Sequence, residues 1–452
     1  MNNPDYFRID ADQAGLIEHV VGAPRAVLNL PCRIDLESEI DEEKVLEAMR
    51  LTVTRLPFCT LRLSEFKDGS FKQYYYNGEP EGIELVDMSK KSESKVDDYI
   101  LKLAGTAFDN NCNDSQLWQF KLIRRAGGKH TIFFKGYHLI MDTYGLMYVI
   151  TYFDKVYAAL INGTELPERG VGPEKQIEKS WEYRGSEKEQ RDIEWWKAQL
   201  ETEPHFADMN PGTSKEYVKG KNYGKPLTLL QMRAVSMPMR IPSELVHRVN
   251  DAALNANLSP QLYYFLAVRT FLAHNSGSSD VTVGTTGARR ATLWAKHCGM
   301  TMAHMVMWRT EIDGSLSFSD ALKQLDFSQK NIYKHVSVYM DDVLRDANVR
   351  FGAPENALYW SMVYTYQPYF SVENVNLKFS AEHVNVGVTP YPLYMNVMPR
   401  DGSGDLWADY IYGNGYLKPE NIQKFHAFML RFVEAGLTSP EKSVKELSEA
   451  SL

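Results

Sequence analysis

Apolar and polar positions along the chain change period in a way that marks out its elements. "RAVLNLPCRIDL" and "PFCTLRLSEF" carry the clustered apolar and β-branched residues of strands. Between them "DEEKVLEAMRLTVTR" has the spacing of an amphipathic helix, with Ile40 and Val45 among its apolar positions. "WQFKLIRRAGGKHTIFFK" then predicts a strand, a Gly-Gly turn and a second strand. After Thr143 the period becomes helical: Leu146, Val149, Ile150, Phe153, Val156, Tyr157 and Leu160 recur at intervals of three and four until "NGTELPERG" stops the pattern. One face of that helix must be buried.

From about Asn162 to Asp192 the chain turns polar and rich in Gly, Pro, Glu and Lys, which predicts a surface linker between two lobes. The division expected is an N-terminal lobe over 1–175 and a C-terminal lobe over 176–452. In the second lobe "IEWWKAQL", "PSELVHRVNDAALNANL", "PQLYYFLAVRTFLAHNS" and "KPENIQKFHAFMLRFVEAGL" predict helices, and "GTSKEYVKGKNYGKP" a loop. "DVTVGTT", "ALYWSMVYTYQ" and "YPLYMNVMPRDGSGDLWADYIYGN" have the β-branched and aromatic content of strands. Strands and helices mixed throughout place the chain in the α/β class, and no repeat period suggests a solenoid.

Composition narrows the function classes. With 452 residues, 44% hydrophobic and 24% charged, the chain has the makeup of a soluble globular protein. Lys and Arg number 50 against 58 Asp and Glu, so nothing draws it to phosphate backbones or anionic lipid, and neither nucleic acid nor membrane is an expected partner. No apolar run reaches the roughly 18 residues of a membrane helix, and "MNNPDYFRIDADQAG" lacks the basic start and apolar centre of a secretion signal. The expected setting is cytoplasmic. Cys32, Cys59, Cys112 and Cys298 are scattered without a Cys-x-x-Cys, so neither a zinc site nor a disulfide framework is expected. Gly-x-Gly-x-x-Gly, a phosphate loop ending in Gly-Lys-Ser/Thr, His-Glu-x-x-His and Gly-x-Ser-x-Gly are all missing from the sequence, which removes the common cofactor, metal and serine-nucleophile readings.

The spacing His-x-x-x-Asp occurs twice. His247 and Asp251 share a helix side with Glu244, Arg248 and Asn255, opposite Leu245, Val246, Val249 and Ala253, which reads as a solvated face. His138 and Asp142, in "FFKGYHLIMDTYG", sit where an apolar strand gives way to a buried helix. Two readings of that pair stay open from local pattern alone. Asp142 is a natural helix N-cap, with His138 a hydrogen-bonded residue at the core edge; alternatively His138 is a reacting group, since imidazole titrates near cellular pH.

"GYHLIMDTYG" resembles the His-His-x-x-x-Asp-Gly segment of nonribosomal peptide synthetase condensation domains, of the chloramphenicol acetyltransferase-like acyltransferases. The resemblance continues in order along nearly the whole chain. "IDEEKVLEAMRLTVTRLPFCTLRL", "DSQLWQFKLIRR" and "DIEWWKAQL" are similar to the family's opening helix and strand, the strand pair before the active-site loop, and the start of the second lobe. "SSDVTVGTTGARR" and "CGMTMAHMVMWRTEI" resemble its Gly-Thr-Pro…Arg and Gly-x-x-x-Asn stretches, and "YKHVSVYMDDVL" and "MVYTYQP" also have counterparts.

The resemblance implies two α/β lobes of mixed sheets in a V-shaped pseudo-dimer, with the active site in the channel between them. It implies that His138 is the reacting histidine, and that Asp142 is a structural carboxylate pairing with Arg290 to hold the active-site loop against the other lobe, in a bidentate contact if the geometry allows. Tyr137 stands where the motif has its first histidine and Thr143 where it has its glycine, with Tyr144 and Gly145 resuming the familiar reading; Tyr137, Thr143 and Gly145 are expected to line the channel. His304 and His335 are expected to be structural, and Arg289 and Arg290 would be surface charges if no clasp forms.

The activity implied is amide-bond formation between an acyl donor and an aminoacyl acceptor, each on the phosphopantetheine arm of a carrier protein. The chain carries no carrier of its own, "NDSQLW" lacking the context of an attachment site, so carriers or coenzyme A come from outside and no resident cofactor or metal is implied. A coenzyme A-dependent N- or O-acyltransferase acting on a soluble acceptor would use the same His138. The changes at Tyr137 and Thr143 keep a catalytically degenerate recruitment module as a third reading.

Overall fold

The structure is a computed structural model and describes residues 4–19, 24–108, 113–209, 223–224, 232–367, 376–413 and 417–452. "GTSKEYVKGKNYGKP" lies almost wholly outside the described residues.

Two mixed sheets form the frame, each with helices against it. The N-terminal sheet has five strands in the order Phe379–His383, Asn29–Leu36, His130–Tyr137, Trp118–Arg124 and Glu84–Asp87. Its central pair runs antiparallel from Asn29 opposite Tyr137 to Leu36 opposite His130, which fixes where the His130–Tyr137 strand ends and the loop bearing His138 begins. Over it pack the helices Glu42–Arg55 and Thr143–Asn162. The first is capped by Asp41, which accepts from the Lys44 amide at 3.1 Å, and buries Val45, Ala48, Met49, Thr52 and Val53 along one stripe. The second ends at Gly163, whose φ of 63° is the left-handed conformation that glycine adopts without a Cβ penalty.

The C-terminal sheet has six strands in the order His304–Glu311, Asp280–Gly287, Met362–Tyr366, Leu393–Met398, Leu406–Gly413 and Ala234–Ile241. The helix Gln261–Ser276 backs it and is buried nearly all round, Leu262 through Thr270 without a break. A smaller three-stranded sheet, Phe7–Arg8, Phe71–Tyr75 and Leu61–Glu65, flanks the first lobe.

The lobes are not independent along the chain. Strand Phe379–His383 leaves the C-terminal half and pairs with Asn29–Leu36, Phe379 opposite Leu36 and His383 opposite Cys32. The N-terminal core also takes in Cys298, Met300, Leu377, Phe379 and Ala381. The polar stretch expected to be a linker over 162–192 holds the helix Glu174–Tyr183 and the start of Glu187–Gln199. Its polar residues are the outer faces of short amphipathic helices, which composition alone reads as loop. The helix Glu174–Tyr183 packs on the N-terminal lobe: Ile177 joins that core, the Ser180 hydroxyl accepts from the Ala11 amide at 3.1 Å, and the Trp181 indole donates to the Ile9 carbonyl at 2.8 Å.

Candidate active site

Strand His130–Tyr137 is buried along almost its whole length, and it carries the chain to the seam between the lobes. There the His138 amide donates to the Leu28 carbonyl at 2.8 Å, and the Ile140 amide donates back to the Tyr137 carbonyl at 2.9 Å, so the loop turns tightly into the helix Thr143–Asn162. Asp142 caps that helix, its Oδ1 accepting from the Gly145 amide at 3.0 Å.

The N-cap and the clasp are one and the same carboxylate. Besides capping, Asp142 is 2% exposed and accepts from Arg290 Nη2 at 2.8 and 2.7 Å and from the amides of Met302 and Ala303 at 3.0 and 3.1 Å. Burial opposes its ionisation, but Arg290 and the Gly145 and Met302 amides more than offset that, and its pKa is held below the usual carboxylate value. The contact is not a two-nitrogen fork, since both carboxylate oxygens meet the single Nη2. The other terminal nitrogen, Nη1, donates to the carbonyls of Ala295 and Cys298 at 2.7 and 2.5 Å, and the guanidinium lies 4.6 Å from the centre of the Tyr144 ring. Arg290 thus staples the segment Ala295–Met302 of the second lobe onto the His138 loop of the first.

Arg289 is no surface charge either. It adopts the left-handed backbone conformation, with φ of 55°, and its Nη1 meets Asp12 Oδ2 at 2.5 Å. His304 meets the other oxygen of Asp12 at 2.7 Å. Burial opposes the charge on Asp12, and His304 with Arg289 overcomes it, holding that carboxyl far below its ordinary value. Two consecutive arginines of one lobe therefore grip two carboxylates of the other. Nothing in the sequence pattern marks Asp12, which precedes every motif. His335 meets Asp192 at 2.8 Å and stacks on Trp195 at 4.5 Å between ring centres; like His304, it sits hydrogen-bonded to a buried carboxylate.

A cavity of about 1240 Å³ opens along the seam and is walled by both lobes, with His138, Thr143 and Tyr183 on one side and Thr285, Tyr366 and Tyr394 on the other. Of His138 the Nδ1 atom is buried and has no hydrogen-bond partner, so the ring presents its Nε2 edge to the cavity. Burial lowers its pKa below the usual imidazole value against the opposing pull of the Asp142 charge, which favours the neutral ring. A neutral imidazole facing a cleft accepts a proton or a hydrogen bond from an incoming amine or hydroxyl.

Thr143 lies at the wall of this cavity, and Tyr137 and Gly145 lie behind it in the core. Tyr137 is 3% exposed and packs edge-on against Phe108, because strand pairing directs it into the core on the face opposite His138. Gly145 is buried against the Gly299 carbonyl of the other lobe, where a Cβ would overlap that oxygen. The close approach of backbone between the lobes falls at Gly145, two residues after Thr143. Thr143 stands at the cavity wall, free of that constraint. His247, from the second His-x-x-x-Asp spacing, also lines the cavity. Among the described residues no group of three or more His, Cys, Asp and Glu is arranged to hold a metal ion, and no helix is long and apolar enough to cross a membrane.

Two α/β lobes, each a mixed sheet with helices against it, meet at a seam whose cavity His138 lines. The sequence profile of the condensation domain matches residues 22–451, and the chain belongs to that family. It is 21% identical over 379 residues, 82% of its length, to the dimodular nonribosomal peptide synthase of Bacillus subtilis (strain 168), and it spans 15% of that protein. Among solved structures it is similar to the first condensation domain of the calcium-dependent antibiotic synthetase in complex with a substrate analogue, with TM-score 0.82 and 16% identity over 98% of this chain and 99% of that one. It is also similar to an arginine-to-alanine mutant of the starter condensation domain of rhizomide synthetase in complex with C8-CoA, with TM-score 0.81 and 16% identity over 97% of this chain and 96% of that one.

Proposed function

We propose that this chain joins an acyl group held as a thioester on one carrier protein to the amine of an aminoacyl group held on another. The observation that carries the reading is His138, whose Nε2 edge faces a cavity walled by both lobes. The amine nitrogen attacks the thioester carbonyl, the C–S bond breaks, and the proton lost by nitrogen leaves by way of His138 to the departing sulfur. For an amine that arrives neutral, His138 acts chiefly by orienting it through a hydrogen bond, and holding two tethered reactants in line supplies several kcal/mol of the barrier reduction. Asp142 and Arg290 keep the loop that carries His138 seated on the opposite lobe. Phosphopantetheine arms entering the seam deliver both reactants, so the partners are acyl or peptidyl carrier proteins in a cytoplasmic assembly line, and no resident cofactor is called for.

Delivery from coenzyme A is the second reading, favoured by the coenzyme A thioester named in the complex of the rhizomide relative. The test pairs acyl-carrier with aminoacyl-carrier, and separately acyl-coenzyme A with free amine, and follows products by mass. Product from the carrier pair alone supports condensation; product from coenzyme A and free amine supports the soluble transferase. If neither pair reacts, and His138→Ala leaves carrier binding intact, the chain is a recruitment module.

A further inference from the structure

The clasp at Asp142 does not explain how His138 itself is held. Its amide is fixed within its own lobe, donating to Leu28. Its carbonyl is fixed from the other lobe: the hydroxyl of Thr301, a residue 3% exposed, donates to the His138 carbonyl oxygen. The next two residues, Met302 and Ala303, donate their amides to Asp142. One tripeptide of the C-terminal lobe therefore grips both ends of the His138–Asp142 loop, by a side chain at one end and by backbone at the other.

The carbonyl that Thr301 grips has a second suitor. Nδ1 of His138 is buried without a hydrogen-bond partner, and a proton on the ring is favoured first by the Asp142 charge and then by the residue's own carbonyl oxygen. The position of that oxygen then decides whether the ring proton sits on Nδ1, leaving a lone pair on Nε2 toward the cavity, or on Nε2, leaving none there. A carbonyl held from both sides of the seam fixes the answer; a carbonyl free to rotate about the His138–Leu139 peptide does not.

We propose that Thr301 is a positioning residue for His138, its hydroxyl anchoring the His138 carbonyl across the seam so that the ring keeps one tautomer and one aim only while the lobes are joined. The proposal rests on the amide-forming reading for its rate consequences, but not for its structural ones. Thr301 touches neither reactant on this account. Valine has the shape of threonine without the donor, and serine keeps the donor without the methyl, so the pair separates hydrogen bonding from packing.

The experiment measures Thr301→Val and Thr301→Ser in the full chain with saturating carrier-bound substrates, alongside the ¹⁵N spectrum of labelled histidine rings, with His138→Gln to assign the His138 signal. The expected result for Thr301→Val is a kcat lower by about ten- to a hundredfold, the range for a misplaced reacting group, with KM within about twofold. Its His138 ring signals move from those of a single Nδ1–H tautomer toward an exchange average. Thr301→Ser restores most of kcat and the single-tautomer spectrum. Wild-type kcat in Thr301→Val, a serine variant as slow as the valine variant, or an unchanged His138 spectrum would overturn the proposal. If the wild-type chain forms no amide at all, the functional reading fails, and the ring spectra still decide the role of Thr301.

Discussion

Gly145, at the start of the helix that follows His138, lies against the carbonyl oxygen of Gly299 in the opposite lobe with no room for a methyl group between them. Both partners are backbone, so neither moves aside by changing a rotamer. Gly145→Ala is expected to push the lobes apart at the point where Asp142 and Arg290 meet, lowering stability by about 2 kcal/mol or more and lowering turnover with it. Thr143→Gly, two residues away on the cavity wall, is expected to leave the fold in place, at a cost of about 1 kcal/mol, and to change which acyl or amine groups are accepted. Thermal melts together with a substrate panel check both outcomes. Equal melting temperatures for Gly145→Ala and the wild type would remove the constraint.

Asp142 and Arg290 are each buried, at 2% and 7% exposure, so the cost of removing one partner is set by the charge left behind. Asp142→Asn keeps the cap acceptor but strands the guanidinium, and is expected to lose about 3–5 kcal/mol in urea unfolding. Arg290→Lys keeps the charge yet lacks the several nitrogens that reach the Ala295, Cys298 and Met300 carbonyls along with the carboxylate, so it is expected to rescue little. Full stability in Arg290→Lys would show that charge alone, without the carbonyl contacts, holds the seam.

Much of this was legible in the sequence. A continuous apolar run before His138 and a period of three to four after Thr143 place the strand and helix that aim the loop, and a Gly-Gly turn joins the two strands that precede it. The Asp142–Arg290 pairing followed from resemblance, and no local pattern carries it, because the partners are 148 positions apart. What stayed hidden has a common physical cause. Strand Phe379–His383 is read as strand or loop equally well until its partner across the seam is known, and the helices after Pro173 bury narrow stripes that composition averages away. Asp12 meets Arg289 and His304, and Thr301 the His138 carbonyl, across the seam, and such isolated contacts leave no period to read.

The pH dependence of turnover follows from the burial of His138. Its pKa is lowered from the ordinary 6.5, so the ring loses its competence as an acceptor only below that pH, and the acid limb of kcat/KM is expected to fall below about 6.5. Stability has the same sign. A histidine buried neutral stabilises the fold above its unfolded pKa, and the contribution is lost as pH falls through the lower folded value. His138→Ala is expected to cut turnover by about 10² to 10⁴ and to flatten that limb. An acid limb centred well above 6.5 would mean that another group is being titrated.

Asp10 presents the opposite case. It is fully buried beside Asp12, its Oδ1 accepts from the Asp12 amide at 2.8 Å, and its Oδ2 has no partner. Burial first, and the Asp12 charge second, push its pKa well above the ordinary 3.8. An acid whose folded pKa is raised stabilises the folded chain fully only below its unfolded pKa, and that contribution drains away as pH rises toward the folded value. Asparagine keeps the Oδ1 acceptor and carries no charge to bury. Asp10→Asn is therefore expected to raise the melting temperature at pH 7 by the equivalent of about 1 kcal/mol or more, to show little gain near pH 4, and to open the difference steadily between. Melting curves of the two proteins across that range test it, and a gain independent of pH would place the cause in packing and not in the buried charge.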